Sequence, residues 1–144
     1  MKRILIEIIP HSQQRLPGSL GGDWVFDAEG NLTIRISDTG DWRYNFLFAR
    51  HEMDEAVLCK HHGITTEMVD ADELNAKDTD DPDSFSGYPG SCYQVQHNDA
   101  LSAEWIMSRL LGVDWVAYGE AFKKLQEVPL GHETTQYLGE EHHS

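Results

Sequence analysis

Cysteine is scarce in this chain of 144 residues, which has only Cys59 and Cys92. Two are too few for the disulfide framework of a small extracellular domain. None is needed, because a domain of this length buries roughly two-thirds of its unfolded surface. Basic residues are also scarce, with 11 Lys and Arg against 25 Asp and Glu, a formal net charge of −14. A field of that sign repels phosphate backbones and anionic lipid and attracts cations and basic protein surfaces, so direct nucleic-acid binding is not expected. Long apolar runs are missing: nothing approaches the ~20 residues of a membrane span. The N-terminal MKRILIEIIP begins like a signal peptide, but Glu7 interrupts it and no small-residue cleavage site follows. These absences point to one cytoplasmic domain.

What is present reads as an α+β order. Residues 3–9 alternate Ile4, Ile6 and Ile8 and stop at Pro10, the pattern of a strand. A Pro/Gly-punctuated loop from His11 to Gly22 follows. Residues 23–27, a turn at Ala28-Glu29-Gly30 and residues 31–37 then form a hairpin, with Leu32, Ile34 and Ile36 on one face. Four helices are predicted over residues 42–62, 65–75, 93–111 and 115–127. Asp41 or its neighbours cap the first, Thr65 or Thr66 the second and Asp114 the fourth, with Gly63 and Gly112 as stops. The expected architecture is a small antiparallel sheet of about three strands packed by three to four helices, one domain over residues 1–128. Residues 129–144 are expected to form a mobile tail.

The first helix carries the chemistry. On a wheel of 100° per residue, Tyr44, Leu47, Glu55, Leu58 and His62 fall within about 40° of His51. Phe46, Ala49, Met53, Ala56 and Val57 form a second apolar arc roughly opposite, and Arg43, Arg50 and Asp54 fill a narrow charged sector. His51 and Glu55 therefore point into an apolar layer, one turn apart. Unpartnered burial of such groups is costly. Two arrangements remove the cost: a histidine–carboxylate hydrogen bond, or a shared divalent ion, for which an imidazole and a carboxylate at i, i+4 are suitably spaced. A third ligand must come from elsewhere. His97 is the leading candidate, since it shares a helix face with Tyr93, Ala100, Leu101 and Glu104; Asp70 and Asp72 are alternatives. His62 lies ~16 Å along the axis from His51 and cannot share its ion. Cys59 reads as a buried helical thiol.

The string His51-Glu52-Met53-Asp54-Glu55 resembles the active helix of zincin-type metallopeptidases, in which H-E-x-x-H supplies two zinc ligands and a general base. Glu55 stands where that motif has its second histidine. The resemblance implies zinc held by His51 and Glu55, with Glu52 as the base beside the ion. A longer likeness runs from residue 22 to about 120 through GDWVFD, IRISDTGDWRY, HEMDEAVLCKHHGI, VDAD and LGVDW. This stretch is similar to small proteins encoded by bacteriophages and prophages, a likeness that brings no reaction with it.

The expectation is a zinc-binding, phage-type protein acting as a metal-dependent hydrolase, with a peptide or host protein as its substrate. The competing class is a non-enzymatic acidic protein that inhibits or decoys a basic host protein, its ion structural or absent. Eight acids between Glu67 and Asp83 support that class, and Asp78-x-Asp80-Asp81-x-Asp83 faintly suggests a calcium loop without the Gly and Glu of an EF-hand. His132-Glu133 in the tail reads as a chance pair.

Overall fold

The computed structural model describes residues 1–15, 21–77 and 90–131. The acid run Asp78–Asp83 lies outside them, as does the tail from residue 132. Strands β1 (Ile4–Ile9), β2 (Gly22–Phe26) and β3 (Leu32–Ser37) precede helices α1 (Trp42–His61), α2 (Thr66–Lys77), α3 (Gln94–Leu110) and α4 (Trp115–Leu125). A short 3-10 turn, His11–Gln13, follows β1. Among the described residues no helix is long and apolar enough to cross a membrane.

The arrangement is α+β, but the sheet is mixed rather than wholly antiparallel. Its order is β1-β3-β2, with β2 antiparallel and β1 parallel to β3. The connections between the strands permit the difference. The β2–β3 turn is tight, with Asp27 Oδ1 accepting from the backbone N–H groups of Glu29 and Asn31 and Gly30 at φ +80. Such a turn forces antiparallel pairing. β1 pairs with the other edge of β3, and the link over residues 10–21 is long enough to permit that.

β3 is the buried centre of the sheet. Leu32, Ile34 and Ile36 point at α1 as the alternation predicts, and they join Trp24, Ala49, Ala56 and Cys59 in one apolar cluster. A second cluster, with Leu47, Val113, Tyr118 and Phe122, seats α4. The predicted caps are in place: Asp41 accepts from Arg43 N, Thr65 Oγ1 from Met68 N, and Asp114 Oδ1 from Ala117 N. One apolar arc of α1 departs from expectation. Ala49 and Ala56 are buried, but Phe46 and Val57 on the same arc are exposed, because α1 lies over β2 and β3 and leaves β1 largely uncovered.

Candidate metal centre

α1 delivers His51, Glu52 and Glu55, all buried, to the interface with α3. α3 answers with His97 and Glu104, two turns apart on one face. Glu55 is the hub. Its Oε2 accepts from His51 Nε2 at 3.2 Å and from His97 Nδ1 at 2.8 Å, while its Oε1 accepts from Trp24 Nε1 at 2.9 Å. The β2–β3 register explains the indole: Trp24 sits opposite Ile34, on the helix-facing side of the sheet. One donor atom from each of His51, Glu55 and His97 lies within 4.8 Å of the others.

A second layer stands behind His51. Glu104 Oε1 is 2.8 Å from His51 Nδ1, yet that nitrogen makes no aligned hydrogen bond, so the approach is an ionic contact. The Tyr118 hydroxyl donates to the other oxygen of Glu104. A histidine with one nitrogen turned to a possible ion and the other to a carboxylate has the form of the carboxylate–histidine pair that orients metal ligands.

The electrostatics follow from burial and charge. Burial opposes the His51 imidazolium, but Glu104 and Glu55 outweigh it and push the pKa well above the ordinary value. Burial likewise opposes ionisation of Glu55, and hydrogen bonds from His51 and His97 override it and hold the carboxyl at about 2. Glu52 goes the other way: burial first, then the charge of Glu55, raises it well above the usual carboxylate range. Glu52 thus keeps its proton beside a Glu55 that has lost its own.

The cluster opens onto a cavity of about 270 Å³ whose wall includes His51, Glu52, His97 and Glu104, facing Phe48, Trp115 and Phe122. Gly22 forms part of the same wall. A Cβ there would stand 2.4 Å from Phe48 and 2.7 Å from Glu52, so only glycine leaves Glu52 its place.

His51, Glu55 and His97 are thus brought together, with Glu52 on the adjoining wall. The alternative ligands are elsewhere. Asp70 binds Arg15 through both oxygens at 2.7 Å, and Asp72 accepts from Cys92 N at 2.6 Å. Their neighbour Glu73 accepts from the Tyr93 hydroxyl, so two of the acids assigned to a decoy surface, Asp70 and Glu73, serve the interior. His62 is exposed at the end of α1. Cys59 is fully buried, and burial pushes its thiol up to about 12, far from a nucleophile's range. Sequence reasoning overlooked Trp24, Glu104 and Tyr118 as supports. Glu104 alone left a signal, a carboxylate seven residues from His97 on the same helix face. Comparison with known protein families, with curated proteins and with solved structures finds no match to this chain.

Proposed function

We propose that the chain is a divalent-metal protein, zinc by donor type, whose site is the catalytic centre of a metal-dependent hydrolase acting on amide or related bonds. One observation carries the reading: His51, Glu55 and His97 converge within 4.8 Å beside a cavity lined by His51, His97 and Glu52. Three protein ligands with a side open to a cavity are the mark of a catalytic zinc site, whereas structural sites are closed by four. His51, Glu55 and His97 would hold the ion through one donor atom each, in place of the hydrogen bonds the two imidazoles now make to Glu55. Trp24 occupies the other Glu55 oxygen, and Glu104 with Tyr118 fixes the His51 ring.

The reaction follows from the groups present. The ion would hold water on the cavity side and lower its pKa, and Glu52 would take the proton as the water attacks a carbonyl. In the free protein Glu52 is protonated by burial and by Glu55; a cation beside both offsets those effects and ionises it. The apolar wall of Phe48, Trp115 and Phe122 suits an apolar group next to the scissile bond.

The experiment is metal analysis and zinc titration calorimetry of the purified chain, followed by assay on small chromogenic amides. Near-stoichiometric zinc is expected, lost in His97→Ala. Glu52→Gln should keep the zinc and lose turnover. A folded protein that takes up no divalent ion would overturn the reading, and full turnover by Glu52→Gln would remove that residue from the mechanism.

A further inference from the structure

The outer edge of the sheet presents a different surface. β1 is an edge strand, and among the described residues nothing lies beyond it. Its bonds to β3, such as Leu32 N to Arg3 O and Asp38 N to Ile9 O, turn the backbone groups of odd-numbered residues inward. The N–H and C=O groups of Ile4, Ile6 and Ile8 therefore point out from the edge. Their side chains share the core-facing side with Leu32, Ile34 and Ile36, their register partners. α1 stops short of covering them, and they remain 47, 45 and 47 % exposed. Phe46 and Val57 of α1 are exposed too, and Ile6 and Phe46 line one shallow groove with Ala49, Met53 and the Arg50–Asp54 pair. A core face that continues past its covering helix, next to an unpaired backbone edge, is the usual form of a strand-pairing interface.

We propose that β1 pairs antiparallel with β1 of a second copy of this chain, about a twofold axis at Leu5, to give one six-stranded sheet. The charges select this occupant. Arg3 lies two residues before Leu5 and Glu7 two after, on the same face of the strand. About an axis at Leu5, Arg3 of each copy stands opposite Glu7 of the other, twice over. These are positions where the backbone groups turn inward, so they form the closer, non-hydrogen-bonded class of cross-strand pair. The outward-pointing residues then meet as Ile4 with Ile6 of the second copy, and its symmetry mate, forming the hydrogen-bonded pairs. Backbone polarity and the apolar face admit this register, and the Arg3–Glu7 pairs select it over its neighbours. A twofold interface requires such a self-complementary patch. Among the described residues, the ion pair Glu7 gives up on its own chain is the long contact to Arg35 at 3.8 Å, half in solvent.

The test is sedimentation velocity of the full chain across the micromolar range. The wild type should approach twice the monomer mass, and Ile6→Asp should remain monomeric with an unchanged circular dichroism spectrum. Arg3→Glu and Glu7→Lys each set like charges opposite one another at two places, which should weaken self-association about tenfold. Mixing these two variants restores both ion pairs and should yield a heterodimer close to wild-type affinity. A wild type that stays monomeric at every concentration overturns the proposal, as does a mixture that associates no better than its components. Both charge changes are at exposed positions outside the core, so the outcome does not depend on how Ile6→Asp folds.

Discussion

Among the buried polar groups of the described residues, two clusters carry ionised carboxylates against a basic side chain, and adjacent residues of β2 serve one each. Asp23 belongs to the first, with Arg15 and Asp70; Trp24 belongs to the second, with Glu55, His51, His97 and Glu104. The first is closed. Arg15 is 1 % exposed and makes charge-assisted bonds of 2.5–2.9 Å to both carboxylates, which outweigh burial and hold it charged. The second has no permanent cation. It holds no Arg or Lys, His51 Nδ1 lacks an aligned partner, and the cluster opens on a cavity. A guanidinium completes the first cluster from within the chain, while the second has donors, an opening and a place for a cation from outside. The difference separates a brace from a site.

The largest expected effect breaks the brace. Arg15→Met leaves two carboxylates facing each other in a dry interior, and removing one partner of a buried ion cluster costs about 3–5 kcal/mol. Urea denaturation should show that loss; a change below ~1 kcal/mol would mean the cluster does not brace the fold. The opposite sensitivity is expected at the site. Glu55→Gln should cost less stability than Arg15→Met in metal-free protein. It should also abolish the gain from added zinc, which for the wild type reaches ~3–4 kcal/mol at 100- to 1,000-fold excess over Kd. Thermal melts with and without zinc distinguish the two, and a zinc-induced rise surviving in Glu55→Gln would remove Glu55 from the ligand set.

Smaller effects sharpen the contrast. Tyr118→Phe and Trp24→Phe each remove one hydrogen bond to a carboxylate of the site and keep an aromatic ring in its packing. Loss of such supports weakens metal affinity roughly 10- to 100-fold, readable by competition with a chelating dye, and the stability of the metal-free protein should move far less. Equal zinc affinity in both variants and wild type would reduce these residues to packing.

A last effect concerns Glu73, between the two clusters in its electrostatics. Burial, then the charges of Asp23 and Glu55, push its carboxyl to about 8. The folded protein therefore holds a proton there that the unfolded chain has released above the ordinary value of 4.5, and stability falls as pH rises through that window. Glu73→Gln should flatten the decline in melting temperature between pH 6 and pH 8, a slope of at most ~1.4 kcal/mol per pH unit. An unchanged slope would show that other groups set it.

Periodicity and end signals made most of the secondary structure legible. Ile4–Ile9 and the hairpin follow from alternation, and the four helices from caps and glycine stops within a few residues of their ends. The inward aim of His51 and Glu55 was equally visible, because a helix wheel needs only the helix itself. His97 was found by the same reasoning on α3. The parallel pairing of β1 was not legible, since the number of linking residues permits it without requiring it. Nor was the Arg15–Asp23–Asp70 cluster, whose members are 8 and 55 residues from Arg15 along the chain.

By itself, then, the amino-acid sequence determined which residues turn inward: side-chain direction follows from helical and strand geometry within one element. It could not determine what those residues meet, because that depends on distances between elements far apart in the chain. Tertiary packing alone decided that Trp24 reaches across from the sheet to Glu55, and that Glu104, held by Tyr118, stands behind His51. It also decided that Asp70 is drawn to Arg15 and away from the histidines. The uncovered flank of β1 belongs to the same class. An alternating strand announces an apolar face, but only the position of α1 over β2 and β3 leaves that face in need of a partner.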